Sequence, residues 1–365
     1  MKVIISGGGS GGHIFPAISI ANELMQRDGN TEILFVGAKG KMEMERVPKA
    51  GYEIEGLWIS GFQRKLTLRN LSFPFKLISS LWKARKILKR FKPDVVIGVG
   101  GYASGPTLEM ATRMGISTLI QEQNSYPGIT NRLLAKKVNK ICVAYDKIDK
   151  FFPTSKIIKT GNPIRGDFYN LKKLEKEAFP SLGFDSNKNT IVVTGGSLGA
   201  RTLNEMMRDN HNVLKANQDV QVLWQAGKLY IEQFSKTETA QLENVKITAF
   251  IDRMDYAFAA ADVVVCRAGA STISELCLAG QPSILIPSPN VAEDHQTANA
   301  KALSEKDAAL LVADKDAVAA ISKAIDLISE DGKLEQMSAN ILALAKPNAT
   351  AEIVDEIYKL INRES

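Results

Sequence analysis

A histidine set directly behind a run of glycines, Gly7-Gly-Gly-Ser-Gly-Gly-His13, is the first feature of this chain that could do chemistry. Glycines at a strand-to-helix turn let backbone approach a diphosphate, and a histidine at such a helix start can titrate near neutral pH, as a general base must. The same side chain could instead hydrogen-bond a neighbouring loop, and the residues alone leave both readings open. Phe15-Pro16 follows, with proline expected in the first helical turn. Gly7-x-Gly9-x-x-Gly12 formally fits a dinucleotide fingerprint, yet the second strand runs Phe35-Val-Gly-Ala-Lys39 without the acidic residue that would hold a ribose. Tight strand-to-helix packing explains these glycines better than NAD does.

The second half repeats the theme with Thr194-Gly-Gly-Ser-Leu-Gly-Ala200, where Gly195-Gly-Ser197 offers backbone N–H groups and a hydroxyl at an expected helix start. Further on, Cys266-Arg-Ala-Gly-Ala-Ser-Thr-Ile-Ser-Glu275 places a small-residue loop after a strand, with a helix expected near Ser271 and Glu275 about one turn in. That carboxylate could accept both hydroxyls of a ribose, or serve as a capping and helix-dipole partner. Asp314-Lys-Asp316 is the only D-x-D and precedes Ala317-Val-Ala-Ala-Ile321, so it is read as a helix N-cap with a charged first turn. No obligatory metal or cofactor is expected, and a leaving diphosphate would then be neutralised by helix N-termini and arginine.

Alternating β-branched runs and helical patterns must position these groups. Val3–Ser6, Ile33–Val36, Val95–Val99, Thr118–Gln121 and Lys140–Val143 read as buried parallel strands. After a polar stretch around Leu171 to Asn189 the rhythm restarts with Thr190–Thr194, Val220–Trp224, Val245–Thr248, Val263–Cys266 and Ser283–Ile286. The fold class expected is α/β, two doubly wound Rossmann-like domains facing across a cleft that would hold the ligand. The boundaries expected are residues 1–163, 164–345 and a C-terminal amphipathic helix within 346–365 whose docking is open.

Charge divides unevenly: residues 1 to 160 hold 25 Lys/Arg against 12 Asp/Glu, and the remainder 21 against 28. A basic half suggests an anionic partner. Between Glu55 and Asp94 there is no acidic residue and there are ten basic ones. At about 100° per residue, Leu77, Leu81, Ala84, Leu88 and Phe91 share one face, while Phe75, Ile78 and Trp82 fall opposite among Arg85, Lys86 and Lys89. That second stripe fits insertion into an anionic membrane surface; alternatively it packs under the Gly61 to Leu71 loop. Nucleic acid is not expected, since no binding motif accompanies the charge. Three cysteines without ligand spacing argue against disulfides and point to a reducing cytosol. Neither a signal segment nor a stretch of the roughly 18 apolar residues that span a bilayer is found.

The glycine and histidine motif, together with Gly100-Gly-Tyr-Ala-Ser-Gly-Pro106, Gln121-Glu-Gln-Asn124, Gly161-Asn-Pro-Ile-Arg165, Gly195-Gly-Ser197, Ser271-Thr-Ile-Ser-Glu275 and Asp294-His-Gln296, resembles the MurG family of GT-B glycosyltransferases. Jointly these motifs are specific and the resemblance spans essentially the whole chain. It implies inverting transfer of GlcNAc from UDP-GlcNAc to the C4 hydroxyl of a MurNAc-peptide on undecaprenyl diphosphate, lipid I to lipid II, in peptidoglycan synthesis. The implied location is peripheral, on the cytoplasmic face of the bacterial inner membrane. It further implies His13 as base, Ser10, Gly11 and Gly12 lining the sugar and acceptor side, and Asn124 and Gln296 on GlcNAc hydroxyls. Arg165 and Ser197 would hold the diphosphate, the main chain at Ile251 the uracil edge and Glu275 the ribose, with Ala270, Ser271 and Thr272 on the same donor loop. Leu198 departs from members with a polar residue after the Gly-Gly-Ser triplet. The rivals are a UDP-GlcNAc 2-epimerase of the same fold and a non-catalytic nucleotide-sugar-binding subunit.

Overall fold

The computed structural model describes residues 1–61, 72–146, 148–164, 168, 171–291 and 294–362. The chain forms two compact units, Met1–Arg165 with Pro347–Ser365, and Gly166–Lys346. The first is built on a seven-stranded parallel sheet and the second on a six-stranded one. In the first unit the strands are β1 (Lys2–Gly7), β2 (Glu32–Ala38), β3 (Glu53–Leu57), β4 (Val95–Gly100), β5 (Ser117–Glu122), β6 (Lys140–Val143) and β7 (Ile157–Lys159), in the order β3-β2-β1-β4-β5-β6-β7. In the second they are β8 (Asn189–Thr194), β9 (Val220–Gln225), β10 (Val245–Thr248), β11 (Val263–Cys266), β12 (Ser283–Leu285) and β13 (Leu310–Leu311), ordered β10-β9-β8-β11-β12-β13. Both sheets reverse direction of growth beside their first strand, the position where doubly wound folds bind ligands.

The ten strands expected from the sequence are all present, and the three others are β3, β7 and β13. Each of these lies at a sheet edge. Edge strands need not be apolar on both faces, so Glu53-Ile-Glu-Gly-Leu57 and the short Ile157-Ile158 pair carry no continuous hydrophobic run, whereas β13 lies within the apolar run Ala308-Ala-Leu-Leu-Val312, of which only Leu310 and Leu311 pair. The polar stretch after Leu171 also holds a helix, Glu175–Leu182, ended by Gly183 in the left-handed region at φ 66°. Leu203, Met206 and Met207 of a helix after β8 pack on Ile191, Val222 and Val265 of the second sheet.

Helix α1 (Gly11–Arg27) follows β1 through Gly8 and Gly9, whose φ values of 142° and 89° suit glycine. Ser10 is its N-cap, so Pro16 lies inside the helix rather than in its first turn. Helix α2 (Glu43–Lys49) follows β2. In α3 (Phe73–Phe91) the buried stripe is Ser80, Ala84, Ile87 and Leu88, flanked by Phe73, Leu77 and Phe91. Leu81, expected in that stripe, is only half-buried at its margin. Phe75, Ile78 and Trp82 are 71%, 66% and 69% exposed, so they do not belong to the core. The Gly61 to Leu71 loop invoked as their cover lies, beyond Gly61, outside the described residues.

The C-terminal helix Ala349–Ile361 returns to the first unit. Its Ile353, Val354, Ile357 and Leu360 join Val3, Ile5, Ile18, Leu24 and Val95 in one core, and Arg27 pairs with Asp355 across the contact. No helix among the described residues is long and apolar enough to cross a membrane.

Candidate active site

In the first unit the chemistry gathers where β1 meets α1. His13 occupies the first helical turn and is half-buried. Its Nδ1 lies 3.1 Å from the Gly8 carbonyl and 3.3 Å from Ser10 Oγ. A carbonyl can only accept, so Nδ1 carries the proton and Nε2 presents its lone pair. Burial, the largest influence, pushes the imidazole below its ordinary range; the Glu122 charge, the Gly8 carbonyl and the Glu43 charge oppose it in part. The positive end of α1 also disfavours imidazolium. With its proton on Nδ1 and its pKa held below the ordinary value, His13 can accept a proton at Nε2, as a general base must.

The second glycine motif makes room for this ring. A Cβ on Gly100 would stand 2.8 Å from His13 Nε2 and Cδ2, and one on Gly101 would stand 2.3 Å from the Gly8 carbonyl oxygen. Gly8 is confined in the same way by Glu43, whose Cδ a Cβ there would meet at 2.2 Å. The N–H of Gly9 donates to Glu43 Oε2 at 2.8 Å. That bond ties the glycine turn to α2, in keeping with the reading of these glycines as tight strand-to-helix packing. Of the residues assigned to the sugar and acceptor side, Ser10 and Gly12 are exposed while Gly11 is buried.

Glu122 ends β5 and is buried. Oε1 accepts from the Asn124 backbone and side-chain amides at 3.0 and 3.2 Å, and Oε2 from Gly128 N–H and Asn131 Nδ2 at 3.1 and 2.8 Å. Four donors satisfy the carboxylate and hold the Asn124 loop in one shape. Sequence reasoning gave Glu122 no role, although a glutamate closing the apolar run Thr118-Leu-Ile-Gln-Glu122 was a signal in itself.

In the second unit Ser197 sits in a turn, and the helix expected there, α4 (Arg201–Asp209), starts only after Ala200. The reason is steric. Gly196 and Gly199 turn at φ 81° and 78°, and a Cβ on Gly199 would meet the Ala226 carbonyl oxygen at 2.1 Å, so the chain folds back on β9 before it can coil. Leu198 is 54% exposed. Gln225 ties this loop down: Nε2 donates to Thr194 Oγ1 at 3.0 Å and to the Gly196 carbonyl at 2.8 Å, while Oε1 accepts the Ile251 N–H at 2.8 Å. That last bond engages the Ile251 N–H, so of its main-chain groups the carbonyl is the one this contact leaves to read a base.

Helix α5 (Ala270–Ala279) begins one residue earlier than expected, with Gly269 as its N-cap. Glu275 is the sixth residue of that helix, beyond the N3 position at Thr272 that a capping box uses, so the capping explanation lapses. Ala270 is buried; Ser271, Thr272 and Glu275 are half-buried on the exposed side. Gln296 lies in α6 (His295–Ser304) and its Oε1 accepts the Ser288 N–H at 2.9 Å. Asp294, the N-cap of that helix, is held at φ 50°, the left-handed region that non-glycine residues occupy only when their surroundings insist. Arg165 lies outside the described residues.

Asp314 is not an N-cap, which falls to Ala313; it opens a short 3-10 turn and accepts from Arg267 Nη1 and Thr202 Oγ1. The D-x-D carboxylate is thereby neutralised by arginine. Among the described residues no group of three His, Cys, Asp or Glu could hold a metal. Cys142, Cys266 and Cys277 are buried, and burial above all pushes each thiol to about 12, far from thiolate chemistry.

Residues 3–143 match the N-terminal domain of glycosyltransferase family 28, and residues 190–356 match its C-terminal domain. The chain belongs to glycosyltransferase family 28. Across its full length this glycosyltransferase is 54% identical to the UDP-N-acetylglucosamine–N-acetylmuramyl-(pentapeptide) pyrophosphoryl-undecaprenol N-acetylglucosamine transferase of Flavobacterium psychrophilum, covering 98% of that relative. The crystal structure of Acinetobacter baumannii MurG is similar at a TM-score of 0.74 and 28% identity, over 98% of this chain and 99% of that one. A UDP-GlcNAc 2-epimerase from Neisseria meningitidis shares only the fold, at 15% identity and a TM-score of 0.69 over 98% and 100% of the two chains.

Proposed function

We propose that this family 28 glycosyltransferase moves GlcNAc from UDP-GlcNAc to the C4 hydroxyl of a MurNAc-peptide carried on undecaprenyl diphosphate. The observation that carries the reading is the bond from His13 Nδ1 to the Gly8 carbonyl, which leaves Nε2 as the accepting nitrogen, in a chain 54% identical end to end to a transferase named for that reaction. His13 Nε2 takes the hydroxyl proton as the oxygen attacks C1 of GlcNAc, and UDP leaves in one displacement that needs no carboxylate nucleophile. In the donor half, Glu275 accepts the ribose hydroxyls, the Ile251 carbonyl accepts the uracil imide N–H, and Ser197 meets the diphosphate. Ala270, Ser271 and Thr272 line that same donor loop. Asn124, positioned by Glu122, and Gln296, positioned by Ser288, address GlcNAc hydroxyls.

A lipid-linked acceptor sits at a membrane surface, and α3 is the element suited to meet it. Phe75, Ile78 and Trp82 are exposed, with Lys86 5.9 Å from the Trp82 ring centroid. Among the described residues Arg85, Lys86 and Lys89 form no salt bridge, whereas Arg90 pairs with Glu55. Such a side favours the cytoplasmic leaflet, whose headgroups are anionic. Incubation with UDP-[14C]GlcNAc and lipid I tests the reaction: label in a lipid-linked disaccharide is expected. Label found only in an epimerised sugar nucleotide, or left in the unchanged donor, contradicts it.

A further inference from the structure

Glu43 is a buried carboxylate that the mechanism above does not use. It is the first residue of α2, 1% exposed, and among the described residues it pairs with no lysine or arginine. Oε1 accepts the Ala38 N–H at 2.9 Å and Oε2 accepts the Gly9 N–H at 2.8 Å. Gly8 and Gly37 both lie against it, so close that a Cβ on either would overlap it. The Gly9 N–H and the Gly8 carbonyl belong to one peptide unit, and that carbonyl accepts His13 Nδ1–H at 3.1 Å.

We infer that Glu43 is a positioning residue for His13, acting through the Gly8–Gly9 peptide as a carboxylate–peptide–imidazole relay. The carboxylate draws on the N–H end of the peptide and polarises it, which enriches the carbonyl oxygen and strengthens its bond to Nδ1–H. Two effects follow at the ring. The Nδ1–H tautomer is fixed, leaving Nε2 as the basic nitrogen, and the imidazolium that forms when Nε2 takes the acceptor proton is stabilised without the proton moving to Glu43. A carboxylate bonded directly to imidazole does the same in serine hydrolases; here one peptide stands between them. The charged groups acting on the ring are Glu122, at the end of β5, and Glu43, at the start of α2. Glu122 reaches it only through space, its oxygens being engaged by Asn124, Gly128 and Asn131.

The inference rests on His13 as the base, and its test keeps the two claims apart. Glu43→Gln keeps the shape, removes the charge and turns an NH2 toward one of the two N–H donors. The expected result is a kcat lower by about ten-fold, an acid limb of the kcat–pH profile displaced to lower pH, and an unchanged KM for UDP-GlcNAc. In a His13→Ala background the same change is expected to cost nothing further. An unmoved acid limb with normal kcat, or an equal loss in the His13→Ala background, overturns the relay while leaving the base in place. A near-normal kcat for His13→Ala alone takes both down. Should Glu43→Gln fail to fold, 15N spectra of the unaltered protein decide, since the chain has only three histidines. A His13 ring protonated on Nδ1 at neutral pH supports the relay, and one protonated on Nε2 overturns it.

Discussion

At His13, burial and the helix start disfavour the charged ring, while two carboxylates and the Gly8 carbonyl resist them. The direction of the balance sets a pH dependence. A folded-state pKa below the ordinary histidine value of about 6.5 means that the base is already neutral at pH 7. Activity should therefore hold as pH falls through 6.5 and decline only at lower pH, as measured in the pH profile of kcat/KM, which reports the free enzyme. An acid limb centred above 6.5 would count against the assignment. On the donor side, Glu275→Ala should weaken UDP-GlcNAc binding by about 1 to 3 kcal/mol, the cost of leaving ribose hydroxyls unpaired. Unchanged affinity by calorimetry would remove Glu275 from the site. Glu275 and His13 could be picked from the sequence because each follows a small-residue turn. Glu43 could not, because a glutamate in the first turn of a helix looks the same whether it caps, faces water or grips a loop from another strand.

Among the described residues, α3 packs one of its two stripes against the core and leaves the other exposed. Its inner stripe is legible from helical periodicity, although Ser80 and Ile87 take the place expected of Leu81; Ser80 fits because its hydroxyl donates to the Trp58 carbonyl at 3.0 Å. Its outer stripe is what membrane binding would need. Replacing Phe75, Ile78 and Trp82 with Ser should leave stability within about 0.5 kcal/mol per site, as expected at exposed positions, while binding to anionic vesicles falls. A well-folded triple variant that binds vesicles as before would relieve this helix of the role. The strands teach a related lesson. The nine with neighbours on both sides were legible because burial on both faces favours β-branched apolar runs, and the edge strand β10 was legible from Val245 and Ile247. The edge strands β3, β7 and β13 were not, since pairing rather than composition makes them strands.

Across the molecule, the chain leaves the first unit near Arg165 and returns at Pro347 to complete it. Periodicity showed that the last helix is amphipathic but not which core receives it, because an apolar stripe specifies burial and not a partner. Ile357 is fully buried among first-unit residues, so Ile357→Ala should cost about 2 to 5 kcal/mol, read from urea unfolding. A change below about 0.5 kcal/mol would mean that the helix is not integral to that core. The doubly wound architecture was legible from the alternation of strand and helix, and the family from motifs spread over both units; the hydrogen bonds that tie Gly9, Ile251 and Asp314 were not, because they join residues distant in sequence. The central claim about the reaction is a single displacement at C1 of GlcNAc. Its most direct test is the anomeric configuration of the new linkage, read from the anomeric proton coupling of the product formed by the unaltered enzyme. From the α-linked donor a β-linked disaccharide is expected, and an α-linked product would contradict a single displacement.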